Sequence, residues 1–204
     1  MSLWEIEKRC WEQGFELVCG ADEAGAGPLA GPVYAAAVIL PRNLELKWLN
    51  DSKQVTPKRR EILFDEIKAQ ALDFSIVALD EKIIDEINIF DARMRAMAQA
   101  VSQLDPAADY ALIDGNADKG MTFAHETVVG GDAKSANIAA ASILAKVSRD
   151  RYMLEMAERY PEYHFEKHKG YPTKLHYEML EQYGPCPIHR QSFLKKFYAR
   201  QGRA

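Results

Sequence analysis

Four carboxylates in this 204-residue chain stand where apolar runs give way to glycine: Asp22 and Glu23 in GADEAGAG, Asp114 in LIDGN, and Asp132 in GGDAK. Adjacent acids at a buried strand end are costly, because desolvated anions need a cation or hydrogen-bond donors. Each of these acids alone is open to a bland reading as a turn or a helix cap, and an isolated Asp-Gly is usually just a turn. Together, without a Cys or His ligand cluster, they suggest an all-oxygen site for hard cations such as Mg²⁺ or Mn²⁺. Two such ions about 4 Å apart stabilise the attacking and leaving oxygens of a phosphodiester displacement. Successive strand side chains face opposite ways, so Asp22 and Glu23 can share a site only if the strand ends or twists there.

The elements that must position these acids follow from the pattern. Apolar runs at Leu17–Ala21 and Val33–Leu40 flank a turn-rich centre with Gly25, Gly27, Pro28, Gly31 and Pro32, which reads as strand, tight connection, strand. A dinucleotide-binding turn would instead open a helix, whereas Pro28, Pro32, Val33, Val38 and Ile39 make the next element a strand, which disfavours that reading. Ser2 to Glu5 fits a capping box for a short helix ending near Gln13, and Thr56-Pro57 starts a second helix with the stripe Leu63, Ile67, Ala71. A strand at Phe74–Leu79 precedes a short acidic helix at Asp80–Ile87. A longer helix follows, with Phe90, Met94, Met97, Val101 and Leu104 on one face, the methionines serving as core filler. Strands at Tyr110–Ile113 and Phe123–Val129 then lead to the longest helix, from Ser135 to about Arg159. Its row Ala141, Ala145, Ser148 lets it lie close against the sheet. Thr173 caps a helix to Tyr183, and a last helix spans Gln191–Arg200.

Net charge is −4, but residues 164–204 hold eight Lys/Arg against three Glu, a balance of +5, which leaves −9 on the rest. A basic helical end can simply offset an acidic body, or it can face a polyanion. Cys10, Cys19 and Cys186 have no C-x-x-C spacing, so a structural zinc motif and a disulfide framework are excluded and the three read as reduced, packed residues. No apolar run approaches a membrane span and the N-terminus lacks a secretory signal's apolar core, so a cytoplasmic protein without membrane contact is expected. A monomer is expected as well, since no exposed apolar stripe or heptad seam remains.

In four ordered segments the chain resembles the type 2 ribonucleases H, or ribonuclease HII: GADEAGAGPLAGPV, DSK at Asp51–Lys53, LIDGN with GGDAKSANIAAASILAKVSRDR, and HKGYPT with PIHRQSF. The resemblance implies an α/β, RNase H-like fold with a mixed central sheet flanked by helices. Residues 1–160 would form the catalytic domain, and 161–204 a basic helical extension packed on it. It also implies endonucleolytic cleavage of RNA joined to DNA in a duplex, either a hybrid or DNA with an embedded ribonucleotide, leaving a 3′-hydroxyl and a 5′-phosphate. The catalytic and metal-binding acids fall on Asp22, Glu23, Asp114 and Asp132, with Asp22 bridging two ions. Lys53 and Lys134, beside Ser52 and Ser135, resemble phosphate clamps, although lysines in such positions are otherwise ordinary solvated side chains. Tyr171 matches the tyrosine that packs at the DNA nucleotide of the junction. Lys167, Lys169, Lys174 and Arg190 would face duplex phosphates in a sequence-independent, salt-sensitive way.

The family's glycine loop is usually Gly-Arg-Gly, and this chain has Gly25-Ala26-Gly27. Backbone groups that read a ribose 2′-hydroxyl need no side chain. A missing guanidinium, however, removes a charge-assisted contact of roughly 1.5–3 kcal/mol. Two alternatives remain: a catalytically weakened duplex-binding protein of the same fold, and a metal-dependent phosphohydrolase of small nucleotides. Four clustered acids without a use would repel one another, which weighs against the former. The projecting tyrosine and open basic tail weigh against the latter.

Overall fold

The apolar runs that bracket the glycine-rich connection pair antiparallel inside a five-stranded sheet. The computed structural model describes residues 2–49, 55–200 and 202. In chain order it contains α1 (Glu5–Glu12), β1 (Val18–Ala24), β2 (Val33–Ile39), α2 (Pro57–Gln70), β3 (Asp73–Leu79), α3 (Glu81–Ile87), α4 (Ile89–Ser102), β4 (Tyr110–Asp114), β5 (His125–Val128), α5 (Ala136–Arg159), α6 (Phe165–His168), α7 (Lys174–Tyr183) and α8 (Lys195–Arg200). The sheet order is β3-β2-β1-β4-β5. The β1–β2 and β2–β3 pairs are antiparallel, whereas β1–β4 and β4–β5 are parallel, so the sheet is mixed as expected.

Each face of the sheet is covered by a helix whose small residues allow a close seat. α4 lays Met94, Met97, Ala100 and Val101 against Cys19, Ala21 and Ile39. On the other face α5 brings Ala140, Ala141 and Leu144 against Val38, with Leu63 and Ile67 of α2 completing that layer. The seat of α5 on β1 requires glycine at position 20, where a Cβ would lie 2.2 Å from the Ile138 amide nitrogen. Asn137, at the start of α5, ties the strands beneath it: its Oδ1 accepts the Leu40 N–H at 2.8 Å and its Nδ2 donates to the Val18 carbonyl at 3.2 Å. Ser135 caps α5 by accepting the Ile138 N–H at 3.1 Å. A third apolar cluster joins Leu29, Ala30 and Met153 to Phe165, Leu180 and Ile188, so residues on both sides of position 160 share it.

Several expectations shift. β1 continues three residues past Ala21, which puts Asp22 and Glu23 inside a strand, opposite Ala36 and Ala35. β5 covers only His125–Val128. Phe90, expected on the buried stripe of α4, is 40% exposed under the Arg93 guanidinium: it keeps the helical phase of Met94 and Met97 but sits in the first turn, next to the helix start at Ile89. The last helix divides into a single 3₁₀ turn at Gln191–Phe193 and α8. The cysteines are buried and free. No helix of the described residues is long and apolar enough to cross a membrane.

The C-terminal cluster contains a ladder of buried imidazoles. His176 Nδ1 bonds the Tyr171 carbonyl at 3.0 Å and its Nε2 meets His189 Nε2 at 3.0 Å, while His189 Nδ1 accepts the Cys186 N–H at 2.9 Å. One proton on each ring satisfies the whole chain, so both rings are neutral. Burial lowers His176 to about 3 and His189 to about 4. Folded-state values below that of free imidazole mean that the unfolded chain binds more protons. This contribution to stability is therefore complete above the ordinary value of 6.5 and is lost as pH falls through the folded values. Thermal unfolding between pH 7 and pH 4.5 should show a steeper loss in the native protein than in His176→Gln, whose side chain keeps a donor and an acceptor but does not titrate. Equal slopes would contradict the assignment.

Candidate active site

β1 carries Asp22 and Glu23 past the end of its pairing with β4, whose last residue, Asp114, comes level with Asp22. Pairing with β4 ends at Ala21–Ile113, while pairing with β2 runs on to Ala24–Tyr34. A notch therefore opens beside β1, and side chains from both faces of the sheet reach it. Asp22, on the same face as Gly20, meets Ser142 of α5. Glu23, on the opposite face with Cys19 and Ala21, meets Arg93 of α4 at 3.1 Å. Asp114 ends β4, and its Oδ1 accepts the Gly131 N–H at 2.7 Å. That bond pulls the 3₁₀ turn Gly131–Ala133 over the strand end and brings in Asp132, which is buried.

All four acids line one cavity of about 450 Å³, together with Gly25, Ala26, Gly27, Arg60, Ser142, Lys146 and Tyr171. Asp22 is pushed well above the usual carboxylate range, first by desolvation and then by the charges of Glu23 and Asp114. Burial also raises Glu23, against the pull of Arg93. Among the described residues no three Asp, Glu, His or Cys side chains are gathered at metal-ligand spacing. Asp22, Glu23 and Asp114 are each directed toward a protein donor instead. The donor chemistry nevertheless fits a hard divalent ion, because several carboxylates share one partly enclosed space and carry a repulsion that a cation would relieve. A second groove of about 450 Å³, between α4 and residues 119–123, has Asp91 as its only acid, and that carboxylate is bonded to Lys119 at 2.6 Å.

The profile of the ribonuclease HII family matches residues 19–196. The chain is 56% identical to the ribonuclease HII of Endomicrobium trichonymphae over 193 residues, covering 94% of this chain and 92% of that one. It is 51% identical to the ribonuclease HII of Caldicellulosiruptor bescii over 194 residues, covering 95% and 94%. The chain belongs to the ribonuclease HII family. The ribonuclease H2 of Pyrococcus horikoshii OT3 superposes with a TM-score of 0.77 at 27% identity, covering 93% of this chain and all of that one. The fold is also shared with Bst-RNase HIII in complex with Mn²⁺, at a TM-score of 0.69 and 16% identity, over 93% of this chain and 71% of that one.

In this ribonuclease HII family member the remaining residues singled out from the sequence separate by position. Gly25, Ala26, Gly27 and Tyr171 border the cavity with the acids. Tyr171 is held by its backbone, its N–H donating to the His168 carbonyl at 2.9 Å. Lys134 is exposed and donates to the Val129 carbonyl, and Lys169 is half-buried and donates to the Glu166 carbonyl. Ser52 and Lys53 lie outside the described residues.

Two expectations are corrected. Ser135 is fully buried as the cap of α5 and donates to Glu7 at 2.6 Å, so its hydroxyl does not face the cavity. Arg190 is fully buried, with its donors directed at main-chain carbonyls, so it does not face solvent as a phosphate contact. Sequence reasoning also passed over Arg60, Arg93, Ser142, Lys146 and Arg149. Ser142 and Lys146 lie one helical turn apart on α5, a spacing that carried the only available signal.

Neutralising a desolvated carboxylate removes strain that serves ligand binding. In metal-free buffer at neutral pH, Asp22→Asn should therefore be more stable than the native protein by about 1–2 kcal/mol. Adding millimolar Mn²⁺ should close that gap by stabilising the native protein alone. Chemical denaturation of both proteins, with and without Mn²⁺, checks both halves.

Proposed function

We propose that this chain is a divalent-metal-dependent endoribonuclease acting on RNA/DNA hybrids and on the 5′ side of single ribonucleotides in duplex DNA, with 3′-hydroxyl and 5′-phosphate products. The observation that carries the reading is the shared cavity. Acids from three segments stand in it beside a glycine loop and a half-exposed tyrosine ring, a combination suited to one backbone phosphate and its adjoining sugar. Asp22, Glu23, Asp114 and Asp132 would hold two Mg²⁺ or Mn²⁺ ions, which when bound supply charge neutralisation and an activated water. The protein's own part is placement. Ser142 and Arg93 orient Asp22 and Glu23, and the Asp114–Gly131 bond orients Asp114 and the turn that carries Asp132.

Selection for a ribonucleotide falls to the Gly25–Gly27 loop, whose backbone can approach a 2′-hydroxyl closely because position 26 has only a methyl group and positions 25 and 27 have no side chain. Tyr171, with Lys146 Nζ at 5.9 Å from its ring centroid, offers a flat apolar surface edged by positive charge to the neighbouring sugar. Lys134, Lys167, Lys169 and Lys174 add phosphate attraction independent of sequence. A monomer working in the cytoplasm accords with this role.

The family membership and the full set of acids favour the nuclease over a duplex-binding protein weakened at Ala26. A duplex with one ribonucleotide should be incised on its 5′ side only when Mg²⁺ or Mn²⁺ is present, and Asp114→Asn should slow incision by at least about 100-fold. Ala26→Arg should tighten duplex binding by roughly 1.5–3 kcal/mol through an added charge-assisted phosphate contact. Metal-independent binding with no incision, or hydrolysis of free nucleotides alone, would refute the proposal.

A further inference from the structure

Beneath the Gly25–Pro32 loop lie two arginines, both with their side chains fully buried. Arg190 donates through Nε to the Gly31 carbonyl at 2.9 Å, through Nη1 to Ala26 at 3.1 Å and through Nη2 to Gly25 at 2.6 Å. Arg149, from α5, donates through Nε to the Pro32 carbonyl at 3.2 Å and through Nη2 to Ala30 at 3.1 Å. Its remaining nitrogen has no hydrogen-bond partner among the described residues, and its guanidinium carbon is 5.5 Å from the Tyr171 ring centroid. Among the described residues neither arginine forms an ion pair. Two buried cations are thus solvated by five carbonyls of a single loop.

This arrangement is expensive as simple glue, since an apolar side chain would join the same surfaces without desolvating a charge. It does something an apolar residue cannot: it fixes the direction of each peptide unit. In a trans peptide the N–H points opposite to the C=O. With the Gly25 and Ala26 carbonyls turned down onto Arg190, the amides of Ala26 and Gly27 point the other way, on the side where these residues border the cavity. Rotating either peptide would strip a buried cation of its solvation. The loop leaves no slack for this: Gly25 has φ of +100°, and a Cβ there would lie 2.2 Å from Arg149 Nε. Main-chain bonds from Leu29 N–H to Gly170, Gly31 N–H to Ile188 and Arg190 N–H to Leu29, each 2.8 Å, join the loop to the C-terminal residues.

We propose that Arg190, assisted by Arg149, is a positioning residue: it holds the Gly25–Gly27 amides at the angle that discriminates a ribonucleotide, so the C-terminal extension sets selectivity from beneath the loop. The idea rests on the function proposed above and assigns Arg190 no contact with substrate. Arg190→Lys keeps the charge but cannot span three carbonyls, and Arg190→Gln keeps two donors without charge.

Hydrogen exchange of peptides covering residues 24–32 and 138–150 should show at least tenfold faster exchange in the loop of both variants, with α5 unchanged. Steady-state incision of a single-ribonucleotide duplex should lose at least tenfold in kcat, while affinity for an all-DNA duplex of the same sequence stays within twofold. The proposal is overturned by unchanged loop exchange, by faster exchange spread equally through α5, or by a fall in DNA affinity that matches the fall in kcat and so marks a direct phosphate contact. If the native protein does not incise at a ribonucleotide, the functional reading fails by itself, and loop exchange still decides whether Arg190 positions the amides.

Discussion

The close seat of α5 on β1 is the constraint on which the site depends. Glycine at position 20 lets the helix axis approach until a Cβ would collide with the Ile138 amide, and the alanine-rich face of α5 follows the sheet from there. Because α5 is one continuous 24-residue helix, that contact helps set what lies further along it: Ser142 reaches Asp22, Lys146 reaches the cavity, and Arg149 reaches the Pro32 and Ala30 carbonyls. A helix displaced outward by the width of a methyl group would lose these alignments together, since they share one rigid element.

Charge is distributed around this helix in a consistent way. Carboxylates gather in the notch beside β1, where burial and neighbouring acid charges raise Asp22 and Glu23. The loop beyond them rests on two buried guanidiniums that face carbonyl dipoles rather than acids. The arrangement keeps these cations from collapsing onto the carboxylates as ion pairs. Arg93 does bond an acid of the site, and its contact with Glu23 tempers the desolvation of that carboxylate.

Much of this architecture was legible in the residues themselves. Strand pairs around the glycine connection, the small-residue helix, Thr56 and Thr173 as caps and the three acidic segments all express local rules: period, turn chemistry and capping act over a few positions and leave a mark in those positions. Phe90 shows where such rules fail. It continued the apolar spacing of α4 and keeps the phase of Met94 and Met97, yet it is 40% exposed in the first turn, because periodicity gives a side chain's direction and not how far along the helix its packing partners extend.

The sequence alone determined the family resemblance, the mixed α/β sheet and the identity of the four acids, because those depend on which residue types occur in which order. Tertiary structure decided how Asp22 and Glu23 come to share a cavity: β1 runs on through Ala24 beside β2, while its pairing with β4 ends at Ala21. It also decided that Ser135 and Arg190 are internal. A basic residue in a basic tail looks solvent-facing until the fold shows it buried against three carbonyls of a distant loop, and that contact arises only when segments separated by some 160 positions meet.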